Sequence, residues 1–160
     1  ISKRNSKIVI DASAKGYMLK SEGFSISKNK ISFDADVFLE KIEAGKKVNL
    51  KNIQFHGNDF KFLPKAASSL KALLLFMKEN ENVVVEIEGH VNGPGQKNKK
   101  SYQELSYSRA YAVKSYLIEH GVSEDRIQSE GHGSNDPIEK NDTPEHRRLN
   151  RRVEFVILQK

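Results

Sequence analysis

Arginine is the residue type in this chain whose placement most readily suggests chemistry. Arg109 lies three residues after Ser106, where the pattern predicts the start of a helix carrying Ala110, Val113 and Leu117 on one face. Ser106 is the expected N-cap, which would put Arg109 in the first turn. A cation there opposes the helix dipole at a cost of about 0.3–1 kcal/mol, where Glu or Asp would stabilise. Such a misfit is expected where function overrides propensity. A helix N-terminus with free N–H groups, reinforced by a guanidinium fork, is a receptor for a carboxylate or a phosphate. The structural alternative is an ion pair between Arg109 and Glu88 or Glu104. Arg147, Arg148, Arg151 and Arg152 follow in the run RRLNRR, where 147 and 151 would share one side of a helix and 148 and 152 another. One pair can face a site while the other meets solvent, Asp136 or Glu145.

Other chemistries find less support. His56, His90, His120, His132 and His146 lack HExxH spacing and have no cysteine to assist them, so no metal site is expected. His90 reads as a hydrogen-bonding support for the turn after Glu88, and His120 as a helix C-terminal residue whose charge is favourable. Ser106 and Ser108 sit in no GxSxG elbow and no paired carboxylates bracket a cleft, so neither an enzyme nor a cofactor is expected. The net charge of +6 favours anionic partners. Nucleic acid is not expected among them, because the basic residues are interleaved with acids and lack an aromatic platform. Lys97, Lys99 and Lys100 read as a solvated loop that can add electrostatic steering.

The elements around these residues must position them. At 160 residues and 37% hydrophobic content, the chain suits one domain of ordinary size with an appendage. Charged residues make up 30% and no apolar run approaches a membrane-spanning length, so no membrane insertion is expected from it. With no Met and no signal peptide at its start, it reads as a processed or excised fragment. Residues 1–46 form a β-rich segment, with short alternating runs at Lys7–Ala12, Tyr17–Leu19, Phe24–Ile26 and Ile31–Phe33. They predict either the end of an upstream β domain with a linker or a β extension packed on the main domain.

Residues 47–160 are more regular. Val48 to Phe55 predicts a strand with a bulge near Lys51-Asn52, and Pro64 opens a helix whose apolar stripe is Ala67, Leu70, Leu74 and Met77, widened by Ala66, Leu73 and Phe76. Val83–Glu88 predicts a strand running into the glycine-rich GHVNGPG turn, and Gly121 a left-handed cap for the second helix. A third strand at Arg126–Glu130, a short helix after Thr143 and a final strand at Val153–Leu158 buried on both faces complete the pattern. The order β-α-β-α-β-(α)-β predicts an α/β (α+β) two-layer sandwich with a mixed sheet.

The segments GHVNGPG, LSYSRAYAVKSYLIEHGVSEDRI and GHGSNDPIEKNDTPEHRRLNRRVEFVI together resemble the OmpA-like peptidoglycan-binding domain of OmpA C-terminal regions, Pal lipoproteins and MotB-type stator proteins. The likeness covers roughly residues 47–160, and its LSxxRAxxV and NRRVE motifs are highly specific. It implies a β-α-β-α-β-β sandwich that clasps the diaminopimelate of uncrosslinked stem peptides. In that clasp an arginine holds the carboxylate and an aspartate of a GHTD motif holds the ammonium. The arginine falls on Arg109, the cap region on Leu105-Ser106 and the aspartate position on Asn92. Asn92 offers a carbonyl dipole in place of a charge, and charge-assisted bonds are about twice as strong as neutral ones, so affinity for a zwitterionic diamino acid is expected to drop.

Other positions also depart from the family pattern. Phe55-His56 stands where the family has FD, Tyr102 replaces an asparagine, His146 replaces a glycine, and the loop before Arg109 is two residues longer. Arg151 or Arg152 is implied as a further ligand for stem-peptide carboxylates. The resemblance implies a non-catalytic module that tethers an outer-membrane or envelope protein to the wall from the periplasmic side of the outer membrane. Other envelope proteins are further partners to expect. Residues 1–46 resemble the edge of β domains that precede such modules in envelope proteins of Bacteroidetes-type bacteria. The alternative is a degenerate OmpA-like domain that serves as a protein-interaction scaffold without wall binding.

Overall fold

A computed structural model describes residues 6–26, 34, 36–93 and 99–160. The expected run Ile31–Phe33, Lys97 and most of the lengthened loop lie outside the described residues. Strands β1 (Ser6–Ala12) and β2 (Lys20–Ile26) form an antiparallel hairpin. Beyond it the chain adds β3 (Lys47–Asn49), α1 (Ala66–Glu79), β4 (Val84–Gly89), α2 (Lys100–Glu119), β5 (Ile127–Gly131), α3 (Pro144–Asn150) and β6 (Val153–Gln159). The four-stranded sheet has the order β3-β6-β4-β5, with β4 and β5 parallel and the other pairs antiparallel. The sheet is mixed because α2 carries the chain across from β4 to a parallel β5, whereas β6 returns antiparallel.

Period-2 alternation sends Val85, Ile87, Ile127, Val153, Phe155 and Ile157 into the core beneath the helices. There they meet Leu70, Leu73, Phe76 and Met77 of α1 and Ala110, Val113 and Leu117 of α2, with the Phe76 and Phe155 rings 5.4 Å apart. Met18, Leu19 and Ile42 from the N-terminal segment join this same core, and Ser69 of α1 donates to Asp11 of β1 at 2.6 Å.

Several elements differ from expectation. The first strand of the sheet ends at Asn49, and Ile53 N–H turns back onto the Leu50 carbonyl at 3.0 Å. Phe55 instead pairs with Phe62 across a small loop, so there is no bulged strand reaching it. Helix α1 starts at Ala66, two residues after Pro64, and of its predicted apolar face Ala66 is buried while Ala67 is exposed. Tyr17 makes only an isolated bridge to Lys41. The Gly121 cap has φ +93°, and Thr143 accepts from His146 N–H with Pro144 as the next residue. The far face of β6 is not apolar, since it carries buried Glu154 and leaves Leu158 exposed.

Helix α2 lies against the strand ends because glycine stands at two crossing points. A Cβ on Gly89 would overlap the Ser106 carbonyl, and one on Gly131 would overlap the Tyr107 backbone. Overpacking of this kind costs about 1–3 kcal/mol. Gly89→Ala should therefore lower stability by about that amount or more in urea titrations, with helix content retained, and an unchanged midpoint would contradict this packing.

On the sheet face turned away from the helices, charged residues form two cross-strand rows. Glu154, Glu88 and Glu130 are register partners on β6, β4 and β5. Arg152, His90 and His132 stand two residues away from these, just beyond the adjoining ends of the same three strands. Like charges directly opposite destabilise a sheet. Here Lys47 pairs with Glu88 and stands 3.7 Å from Glu154, while Arg152 Nε lies 2.9 Å from Glu154. Burial pushes the Glu154 carboxyl up, but His90 and Arg152 beside it outweigh that and hold it at about 2, below the ordinary 4.5. A depressed carboxyl contributes stability that is full above its unfolded value and lost as pH falls towards the folded one. Stability should thus decline between about pH 5 and 2, and Glu154→Gln should flatten that slope in denaturant titrations; equal slopes would contradict the pairing.

Candidate functional site

Arg109 is positioned by a longer helix than expected. Helix α2 begins at Lys100 with Lys99 as its N-cap residue and no capping side chain, so Ser106 is interior and Arg109 stands in the third turn. The dipole argument for an anion at that N-terminus therefore falls away, because the effect fades beyond the first turn. Ser106 serves another purpose. Its buried hydroxyl donates to the Gln103 carbonyl at 2.9 Å and accepts from Gly133 N–H at 2.8 Å, tying α2 to the loop after β5. Gln103 Nε2 also donates to the Gly131 carbonyl.

Arg109 is only 5% exposed, yet no carboxylate among the described residues holds it. Its Nε donates to the Asp59 carbonyl at 3.0 Å and its Nη2 reaches the His56 carbonyl at 3.5 Å. Neither bond uses Nη1. The guanidinium lies over the Phe55 ring, 5.0 Å from its centroid, and Phe55 packs on Phe62 at 5.2 Å. Neither Glu88 nor Glu104 pairs with it, since Glu88 is held by Lys47 and Glu104 by Lys100. Burial first, and the Arg151 charge second, pull the Arg109 pKa down to about 10 against the opposing pull of Asp59. It remains protonated at neutral pH.

A tight loop between Gln54 and Leu63 presents those two carbonyls. Leu63 N–H bonds the Gln54 carbonyl at 2.8 Å, Asn58 takes φ +53° at the bend, and Asp59 turns its carboxylate onto the N–H groups of Phe60 and Lys61. The composition Gly57-Asn58-Asp59 is a turn signal. Nothing in it says that the turn's carbonyls would seat an arginine.

The site is a cleft of about 410 Å³. Phe55 and His56 line it from the loop, Asn92 from the exit of β4, Tyr102, Leu105 and Arg109 from α2, and Arg151 and Arg152 from the end of α3. Ser106 is the one predicted residue that lies beneath the cleft rather than on it. Gln54, Asn58 and His90 also reach it without having been expected there, as does Arg148, whose pair with Arg152 was one of the two that could face a site. Arg151 Nη1 donates to Asn92 Oδ1 at 2.9 Å. Asn92 therefore orients a cation, and its amide oxygen is already engaged.

Arg152 differs from Arg151. It is 8% exposed, pairs with Glu154, and donates to the Asp136 carbonyl at 3.1 Å, so it forms part of the floor. Arg148 is held by Glu145 through two contacts, and Arg147 by the Asn141 carbonyl. No acidic residue lines the cleft among the described residues. Burial, Arg147 and Arg148 lower the Arg151 pKa as well, so two cations face a common space with neighbours that disfavour their charge. A ligand anion would relieve both. A larger cleft of about 930 Å³ lies between the β1–β2 hairpin and α3 and shares Arg148, Arg151 and Arg152 as a dividing wall.

Known proteins resemble this chain in sequence and in fold. The chain is 32% identical over 106 residues to the probable lipoprotein YiaD of Escherichia coli, covering 66% of this chain and 48% of that protein. It is 37% identical over 99 residues to the peptidoglycan-binding protein ArfA of Mycobacterium tuberculosis, covering 62% and 28% respectively. Each match thus spans about half or less of the relative. The periplasmic domain of Helicobacter pylori MotB superposes with a TM-score of 0.64 at 26% identity, over 78% of this chain and 89% of that one. The family description that matches residues 54–151 takes in the loop, both main helices and the arginine run as far as Arg151, and the chain belongs to the OmpA family.

Proposed function

We propose that this chain binds peptidoglycan non-covalently, seating the carboxylate of diaminopimelate in a stem peptide between Arg109 and Arg151, and so anchors an outer-membrane or envelope protein to the wall from the periplasmic side. The observation that carries this reading is a buried, solvent-poor guanidinium beside a second arginine in a cleft without an acid. Charge-assisted hydrogen bonds to a carboxylate contribute about 1.5–3 kcal/mol, and the low dielectric around Arg109 favours the upper end. The likeness to a peptidoglycan-binding protein supports the same ligand class. Recognition here needs binding groups only, and the module acts as a tether rather than an enzyme.

The cleft treats the two ends of a zwitterionic diamino acid unequally. Its anion side is complete, while the ammonium finds only the Asn92 and backbone dipoles, and Arg151 already uses Asn92 Oδ1. Placing Asp at position 92 would first satisfy Arg151. The gain in ammonium affinity from Asn92→Asp should accordingly stay below about fivefold in calorimetry with free diaminopimelate, and a larger gain would show that Arg151 yields its partner.

Wild-type protein should co-sediment with purified sacculi. Arg109→Ala should lose at least about tenfold in affinity while keeping its thermal midpoint close to wild type, and Arg109→Lys should recover only part of it because the bidentate fork is gone. A folded wild type that stays in the supernatant would refute wall binding and leave the scaffold role.

A further inference from the structure

The charged rows on the sheet's second face hold a feature that wall binding does not use. His90 is 2% exposed, and neither of its ring nitrogens has a hydrogen-bond partner among the described residues. His132 Nε2 is likewise buried and unpartnered. Both nitrogens face carboxylates: His90 Nε2 lies 3.5 Å from Glu154 and 3.8 Å from Glu88, and His132 Nε2 lies 3.7 Å from the other oxygen of Glu88. The expected role of His90 as a hydrogen-bonding support is thus not what its ring does. Its backbone N–H makes the turn contact instead, bonding the Arg152 carbonyl at 3.0 Å.

These separations are too long for good imidazole–carboxylate hydrogen bonds, which fall near 2.7–3.2 Å. They are close to the edge of a tetrahedron around a metal ion. With metal–nitrogen and metal–oxygen bonds of about 2.1 Å, two ligand atoms of a tetrahedral site stand about 3.4 Å apart. One donor atom each from Glu88, His90 and Glu154 lies within 4.8 Å of the others, and all three residues are buried. His132 stacks on His90 with ring centroids 5.0 Å apart, and its Nδ1 stands 3.3 Å from Asp136, which leaves Nε2 as the lone-pair nitrogen. A carboxylate behind an imidazole in this way fixes the tautomer that a metal requires.

We infer that Glu88, His90 and Glu154 form a binding site for a divalent transition-metal ion of the Zn²⁺ type, with His132 stacked on His90 at its edge. One imidazole and two carboxylates suit Zn²⁺ with a position left for solvent, and the two negative charges neutralise it. Lys47 is the resident counter-cation, with its ammonium against the Glu88 and Glu154 oxygens that face His90. Its side chain is 44% exposed, so it can swing into solvent when the ion enters. Arg152 Nε stays on the other oxygen of Glu154, and its Nη2 also reaches the oxygen that faces His90 at 3.3 Å, so the arginine orients the carboxylate. The ion would join β4 to β6 beneath the cleft, bracing the strand exit that leads to Asn92. The inference stands independently of the ligand of the cleft.

The test is calorimetry of the purified chain with ZnCl₂ at neutral pH, together with the visible spectrum of the Co²⁺ form. One equivalent should bind, with the intense visible bands of tetrahedral Co²⁺. Lys47→Met should tighten binding about tenfold or more by removing the competing charge. His90→Gln and, separately, the less buried His132→Gln should each weaken it at least about tenfold. His146→Gln should leave it unchanged, which distinguishes this site from the exposed His146–Asp142 pair. Absence of Zn²⁺ binding in both wild type and Lys47→Met, or affinity indifferent to both His90→Gln and His132→Gln, would overturn the assignment.

Discussion

Burial of the Arg109 guanidinium without a carboxylate is the constraint on which the site depends. A charge taken out of water is costly unless its donors are met, and here backbone carbonyls and an aromatic face meet them. Carbonyls satisfy hydrogen bonds without cancelling charge. The guanidinium therefore stays electrostatically unsatisfied, and Arg151 beside it adds to the imbalance. A fully paired arginine would have to break an ion pair before it could accept a ligand. Arg109 has no such pair to break, so the site is preorganised for an anion.

That arrangement requires three elements to arrive together. Glycine at positions 89 and 131 lets α2 sit close enough to the strand ends to bring Arg109 over the loop at His56 and Asp59. Ser106 and Gln103 lock the same turn of α2 to the loop after β5. On the other side, Asn92 holds Arg151 towards the cleft, and the Arg152–Glu154 pair fixes the base of the strand that follows α3. The charged rows on the second sheet face thus reach the cleft through Arg152 and His90, which line it as well.

The alternation of β4 and β6, the stripe of α1, the Gly121 cap and the Thr143-Pro144 start of α3 were all legible in the chain, because each is a local pattern with a physical period or a fixed conformational need. The motif resemblance brought eight of the fifteen residues that line the cleft into view. What escaped has equally specific causes. The first turns of α2, KSYQE, carry no capping side chain and little apolar periodicity, so Leu105-Ser106 looked like a beginning. Arg109 is held by main-chain oxygens, which leave no mark in side-chain identity. Asn92 read as a weakened ligand for an ammonium, whereas it is the partner of Arg151, fifty-nine positions away in sequence. The juxtaposition of Glu88, His90, His132 and Glu154 follows from strand order β6-β4-β5, which no local window contains.

Departures from the family pattern acquire a common sense in this geometry. In the proposed binding mode, a cleft that keeps its arginines and lacks an acid would select for carboxylate and be indifferent to ammonium. The most direct measurement is a crystal structure of the chain with a diaminopimelate-containing stem tripeptide. The account predicts a ligand carboxylate within hydrogen-bond distance of both Arg109 and Arg151, with the ammonium turned towards solvent. A peptide bound in the larger cleft beside the hairpin, or with its ammonium rather than its carboxylate at Arg109, would contradict it.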